Sequence, residues 1–217
     1  MKGYFISFEG TEGGGKSTQI QILAERLRAM GRTVRVVREP GGTPIGEEVR
    51  HTLKHSEANR AMTSEAELLL MNASRAQLVR EVIRPALASN EIVLCDRFYD
   101  STVAYQGYGR GLPLKVVQTV IDLAVETTRP DLTLILDVPV LVSEERRKAR
   151  EGKGATEPVR DRMEEADRKF FERVHEGFLA IAAANPARVA VIDATGDVDA
   201  VSSAVWDIVA KRFPLAV

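Results

Sequence analysis

The run Gly10-Thr11-Glu12-Gly13-Gly14-Gly15-Lys16-Ser17 fulfils the spacing G-x-x-x-x-G-K-[ST]. Glycines so spaced let successive backbone N–H groups turn toward a polyphosphate, the lysine reaches its outer phosphates, and the hydroxyl suits Mg²⁺. A helical pattern begins at Lys16 and carries Thr18 in its first turn, where the positive end of a helix favours phosphate oxygens. Glu12 is costly in such a loop, because a carboxylate repels the anion beside it. That cost makes sense if Glu12 faces a hydroxyl of an acceptor molecule; a side chain turned to water is the plainer reading. Asp96 and Arg97 stand together at the end of an aliphatic run. A carboxylate there can share Mg²⁺ with Ser17, while a guanidinium makes bidentate bonds to phosphate oxygens. Arg38 ends another such run, ahead of the turn Glu39-Pro40-Gly41-Gly42-Thr43.

Two phosphate groups repel strongly in a partly dry site unless cations lie between them. The variable loop positions are Thr11, Glu12, Gly13 and Gly14, so the loop offers no arginine of its own. Arg146, Arg147, Arg150, Arg160 and Arg162 instead surround the loop-like stretch 151–158, which reads as a mobile flap. Arg150, with Arg146 next, is the favoured group for a transferred phosphate, and their spacing puts both on one helix face. The alternative is a solvated surface on which these arginines pair with Glu144, Glu145 and Glu151.

The elements that must position these residues are strands at Tyr4 to Phe8, Val34 to Val37, Ile92 to Cys95, Leu132 to Leu136 and Val189 to Ile192. Helical patterns fall at about 16–30, 44–55, 64–89, 113–128, 140–151, 161–184 and 197–212. This alternation predicts an α/β fold of the P-loop NTPase type, a parallel five-stranded sheet with helices on both faces and a short arginine-rich lid. Ligands then bind at the carboxyl ends of the strands, which carry Glu9, Arg38-Glu39, Asp96-Arg97, Asp137 and Asp193. Ser64-Glu65-Ala66-Glu67 has the pattern of a capping box, and Pro85 is expected to kink or break its helix.

A length of 217 residues fits one domain, 1–217, with the lid at about 146–162. With 44% hydrophobic and 28% charged residues the chain reads as an ordinary globular protein rather than a disordered one. No apolar run approaches the roughly 20 residues that span a bilayer. Without a membrane segment or a signal-peptide pattern, the expected location is cytoplasmic. Cys95 is the only cysteine and lies inside a strand, so neither a disulfide nor a zinc site is expected from this chain. The net charge of −1 gives no overall electrostatic footprint for nucleic acid. His51 and His55 have helical spacing but lack the glutamate of a zinc-hydrolase helix and read as surface residues.

Phe8-Glu9 before the loop, Arg38-Glu39-Pro40-Gly41-Gly42-Thr43, and Asp96-Arg97 followed by Ser101 and Ala104-Tyr105-Gln106-Gly107 closely resemble bacterial thymidylate kinases. The likeness continues through Arg129-Pro130-Asp131-Leu132-Thr133 and through Arg162-Met163-Glu164 with Phe170-Phe171. It implies ATP-dependent phosphorylation of dTMP to dTDP with Mg²⁺, in a homodimer. By position it implies that Arg38 and Arg97 hold the dTMP phosphate, Glu12 receives the sugar 3′-hydroxyl and Arg75 bonds the thymine edge. Ser101 and Thr102 would line the base pocket, with Gln106 in the same substrate set, and Tyr105 would leave no room for a 2′-hydroxyl. Lys16, Arg97, Arg150, Arg146 and Glu12 form the expected catalytic set, and the backbone of Ala194 and Thr195 the expected adenine neighbours.

Met71 stands where the family usually has a phenylalanine stacked on thymine. A thioether still contacts an aromatic ring by about 0.3–1.5 kcal/mol but loses the flat surface. Packing among Leu68, Leu69 and Leu70 is the competing reading. Met71 keeps open a different small-molecule phosphotransferase, such as a deoxynucleoside or other nucleoside monophosphate kinase. A nucleotide-gated switch is the non-catalytic alternative, although Asp193-Ala194-Thr195-Gly196 is followed by no N-K-x-D base motif.

Overall fold

The computed structural model describes residues 2–151 and 167–215. Strands β1 (Tyr4–Glu9), β2 (Val34–Arg38), β3 (Ile92–Asp96), β4 (Leu132–Asp137) and β5 (Val189–Asp193) form a parallel sheet in the order β2-β3-β1-β4-β5. All five expected strands are present, and each runs one residue further than its apolar run, taking in the charged residue at its end. The helices are α1 (Lys16–Ala29), α2 (Pro44–Lys54), α3 (Ser64–Leu78), α4 (Arg84–Ala88), α5 (Tyr99–Thr102), α6 (Leu114–Val125), α7 (Val140–Glu151), α8 (Arg168–Ala184) and α9 (Val198–Arg212).

The two-residue period of the strands sorts side chains into separate cores. Tyr4, Ile6 and Phe8 of β1, with Ile92 and Leu94 of β3, pack against Ile20, Leu23 and Leu27 of α1 and Val201, Val205 and Val209 of α9. Phe5, Val93 and Cys95 face the other way, onto Leu78 of α3 and Val117 and Ile121 of α6. Ile135 of β4 meets Phe170, Val174 and Phe178 of α8. On the α1–α9 side the guanidinium of Arg26 lies 3.6 Å from the ring centre of Trp206.

Three local expectations change. The cap of α3 is Thr63, whose hydroxyl accepts from Ala66 N at 3.2 Å, one residue before the expected Ser64. Glu67 closes no capping box, because it is turned inward to Gln106 and Arg110. Pro85 does coincide with the expected local break: a π turn at Val79–Ile83 separates α3 from α4 and widens the ladder so that Arg84 N–H reaches Val79 O, and the proline falls in the first turn of α4. There its missing N–H costs little. The helical stretch through α5 and a π segment at Val103–Gly109 was not expected. It starts directly at a strand end and contains Gly107 and Gly109, so it carries no apolar 3.6-residue period. The expected helix over 161–184 is described from Arg168, capped by Asp167, whose carboxylate accepts from Phe170 N at 2.8 Å; residues 161–166 lie outside the described residues.

Candidate active site

The phosphate-type loop is shaped by close backbone approach. Gly10 has φ 120°, and a Cβ there would stand 2.4 Å from Leu136 O, so no other residue fits. Lys16 Nζ donates to Gly10 O at 3.2 Å and Thr11 O at 2.9 Å. Burial, then Arg97, pulls the Lys16 ammonium down to about 7. Ser17 Oγ donates to Asp96 Oδ2 at 2.7 Å, which joins the two residues expected to share Mg²⁺.

From the other side α7 closes on the loop. Ser143 Oγ donates to Glu12 O at 2.5 Å. Arg146 donates to Ala194 O at 2.9 Å, Thr195 O at 3.1 Å and Gly13 O at 3.4 Å, joining the loop after β1 to the loop after β5. The Arg146 guanidinium is thus spent on backbone carbonyls, and Glu144 pairs with Arg168. The side chains of Arg147 and Arg150, together with the flap 152–158, Arg160, Arg162, Met163 and Glu164, lie outside the described residues.

Strand parity explains why adjacent Asp96 and Arg97 do different things. Asp96 continues the series Ile92 and Leu94 toward α1 and meets Ser17. Arg97 then takes the left-handed conformation, φ 67°, and turns its guanidinium to Gly10 O at 3.0 Å, Ser101 Oγ at 3.1 Å and Tyr105 OH at 3.3 Å. Burial works against its charge, but Tyr105, Glu12, Asp96 and Glu9 outweigh it and hold the guanidinium above the ordinary arginine range. Glu9, fully buried, accepts from Phe98 N and Ser101 Oγ, and burial followed by Asp100 pushes its carboxyl up to about 8.

Among the described residues Arg75 is the largest fully buried side chain. It donates to Glu39 Oε2 at 2.8 Å, Asn72 Oδ1 at 2.7 Å and Thr102 Oγ1 at 3.0 Å. Ser101 and Thr102 therefore orient arginines, and Gln106 donates to buried Glu67 at 2.9 Å. Met71 is half-buried one turn before Arg75. Arg38 extends to Glu47, 2.8 Å away, and with Ser17, Asp96 and Gly42 borders a cleft of about 300 Å³ at the β2–β3 end of the sheet. Sequence reasoning placed Glu9 and Glu39 at the strand ends without giving them partners, and it missed Glu67, Asp100 and Arg188 as parts of this region.

A family model described as Thymidylate kinase matches residues 8–205. This chain belongs to the thymidylate kinase family. A thymidylate kinase of Geobacter sulfurreducens is 49% identical over 212 residues, covering 98% of this chain and 99% of that protein. One from Syntrophotalea carbinolica is 47% identical over 203 residues, covering 94% and 93%. The crystal structure of thymidylate kinase from Ehrlichia chaffeensis superposes with a TM-score of 0.76 at 35% identity, covering 97% of this chain and 99% of that one. Of the residues singled out by the resemblance to thymidylate kinases, the loop, Asp96, Arg97, Ser101 and Tyr105 meet in one hydrogen-bonded cluster. Arg75 and Thr102 form a second cluster with Glu39, while Arg38 stands apart with Glu47.

Proposed function

We propose that this protein transfers the terminal phosphoryl group of ATP to dTMP, giving dTDP, as a cytoplasmic homodimer. The observation that carries the reading is the split at the end of β3, which sends a carboxylate to Ser17 and a guanidinium toward the loop and Tyr105. Within the thymidylate kinase family this divides the labour between the two nucleotides. The Ser17 hydroxyl and Asp96 carboxylate are hard oxygen donors that fit Mg²⁺. Bound there, Mg²⁺ would offset negative charge on the ATP phosphates.

The chain's own residues supply the rest. Loop N–H groups and Lys16 hold ATP, and the backbone of Ala194 and Thr195 borders the adenine. Arg97 and Arg38 hold the acceptor phosphate in line, and Glu12, whose charge is felt at both Lys16 and Arg97, accepts from the sugar hydroxyl. Arg75 faces the thymine edge beside Met71, and Tyr105 excludes a 2′-hydroxyl. Arg150 from the flap side neutralises the group in transfer, a role worth about 10³–10⁵ in rate for an arginine so placed. No helix among the described residues is long and apolar enough to cross a membrane.

A coupled assay with dTMP, dUMP, dCMP, dGMP and AMP tests the activity. Turnover with dTMP well above the others is expected, and negligible turnover with dTMP would sink the reading. Arg150→Ala is expected to lower kcat by about 10³-fold with little change in nucleotide affinity; equal losses in both would remove Arg150 from the transfer step.

A further inference from the structure

Glu9 lies outside the phosphate-loop spacing, yet both of its carboxyl oxygens are committed to the turn that presents Arg97. Oε1 accepts from Phe98 N at 2.7 Å, and Oε2 accepts from Ser101 Oγ at 2.5 Å. The same Ser101 oxygen accepts from Arg97 Nη1 at 3.1 Å, and Nη1 also reaches the carbonyl of Gly10, the residue that follows Glu9. Arg97 sits at φ 67°, a conformation that costs a residue with a side chain about 1–3 kcal/mol and persists only where neighbours hold it. The amide that closes this turn is the one bonded to Glu9.

A second acid beside Glu9 is held away from this task. Asp100 is engaged by Arg188 at 2.6 and 3.0 Å and by Thr133 Oγ1 at 3.1 Å. Thr133 in turn meets Ser7, which shares the Glu9 face of β1, at 2.8 Å. Of these two acids, it is Glu9 whose carboxyl bonds the Arg97 turn. We propose that Glu9 is the positioning residue for Arg97, clamping the Arg97–Phe98 turn and aiming the Ser101 oxygen at the guanidinium so that it meets the acceptor phosphate already in place. The role rests on the dTMP kinase reading, since it needs an acceptor phosphate at Arg97.

Glu9→Asp keeps the acid but withdraws it by one methylene, so it cannot reach both Phe98 N and Ser101. Steady-state kinetics of the full chain should then show KM for dTMP raised about tenfold, as for loss of one charge-assisted hydrogen bond. KM for ATP should stay unchanged, while the thermal midpoint falls because a buried donor loses its partner. Ser101→Ala is expected to act in the same direction, and Glu9→Asp with Ser101→Ala to be no worse than the stronger single change, because both act through one path to Arg97. An unchanged KM for dTMP, a parallel rise in KM for ATP, or additive effects would overturn the role. Should Glu9→Asp fail to fold, Ser101→Ala decides it alone by the same KM comparison. Wild-type turnover of dTMP separates the two claims: its absence overturns the activity and the role together, whereas its presence with unaffected variants overturns only the role.

Discussion

Arg75 and Glu39 are 2% and 6% exposed and lie 2.7 Å apart, so each is the other's main protection against burial of a lone charge. Removing one partner of a buried pair costs about 3–5 kcal/mol, and Arg75→Met is expected to lose stability in that range in urea unfolding at pH 8. Burial, partly offset by Arg75, pushes the Glu39 carboxyl from 4.5 up to about 7. The folded state thus keeps a proton that the unfolded chain releases. The associated stability is fully present below pH 4.5 and is lost as the pH rises through about 7. Glu39→Gln should therefore lose less stability than wild type across that interval, and identical slopes would exclude Glu39 as a source. None of this pairing was legible in the sequence. Glu39 and Arg75, Glu67 and Arg110, and Asp100 and Arg188 are separated by 36, 43 and 88 residues, with no local spacing to mark them. The phosphate-type loop was legible because loops of this spacing present consecutive backbone groups, which requires a contiguous pattern.

At the scale of elements, the strands could be read from their aliphatic runs, and the charged residues at the ends of β1 and β3 do gather with the phosphate-type loop. The segment 99–109 could not, because its helical form comes from packing under α8 rather than from its own periodicity. Tyr105 is met edge-on by Phe170 and Phe178, with ring centres 6.0 and 6.2 Å away. A Cβ on Gly109 would stand 2.6 Å from the Phe170 ring and 2.8 Å from Val174. Gly109→Ala is accordingly expected to push α8 off this segment at a cost of about 1–3 kcal/mol. Because Tyr105 rides on the same contact, KM for dTMP should rise more than KM for ATP; urea unfolding and a two-substrate kinetic comparison check both parts.

At the scale of the whole molecule, the guanidinium of Arg146 on α7 ties together the loops after β1 and β5. Arg146→Ala is expected to raise KM for ATP at least as far as it lowers kcat, since it releases the carbonyls of Ala194 and Thr195; a loss confined to kcat would place Arg146 on the transferred phosphate instead. The residue's presence in the basic cluster was visible in sequence, but its direction was not, because helical spacing gives a face and not a partner.

The chain has one tryptophan, and Arg26 covers its ring at 3.6 Å, near the end of the helix that begins with Lys16. The protein thus carries its own fluorophore, wired by a rigid rod to the phosphate loop. Excitation of Trp206 should report any slide of α1 against α9 when a polyphosphate binds. Arg26→Met should change the emission of the free protein while leaving turnover intact, supplying an optical reference for that motion.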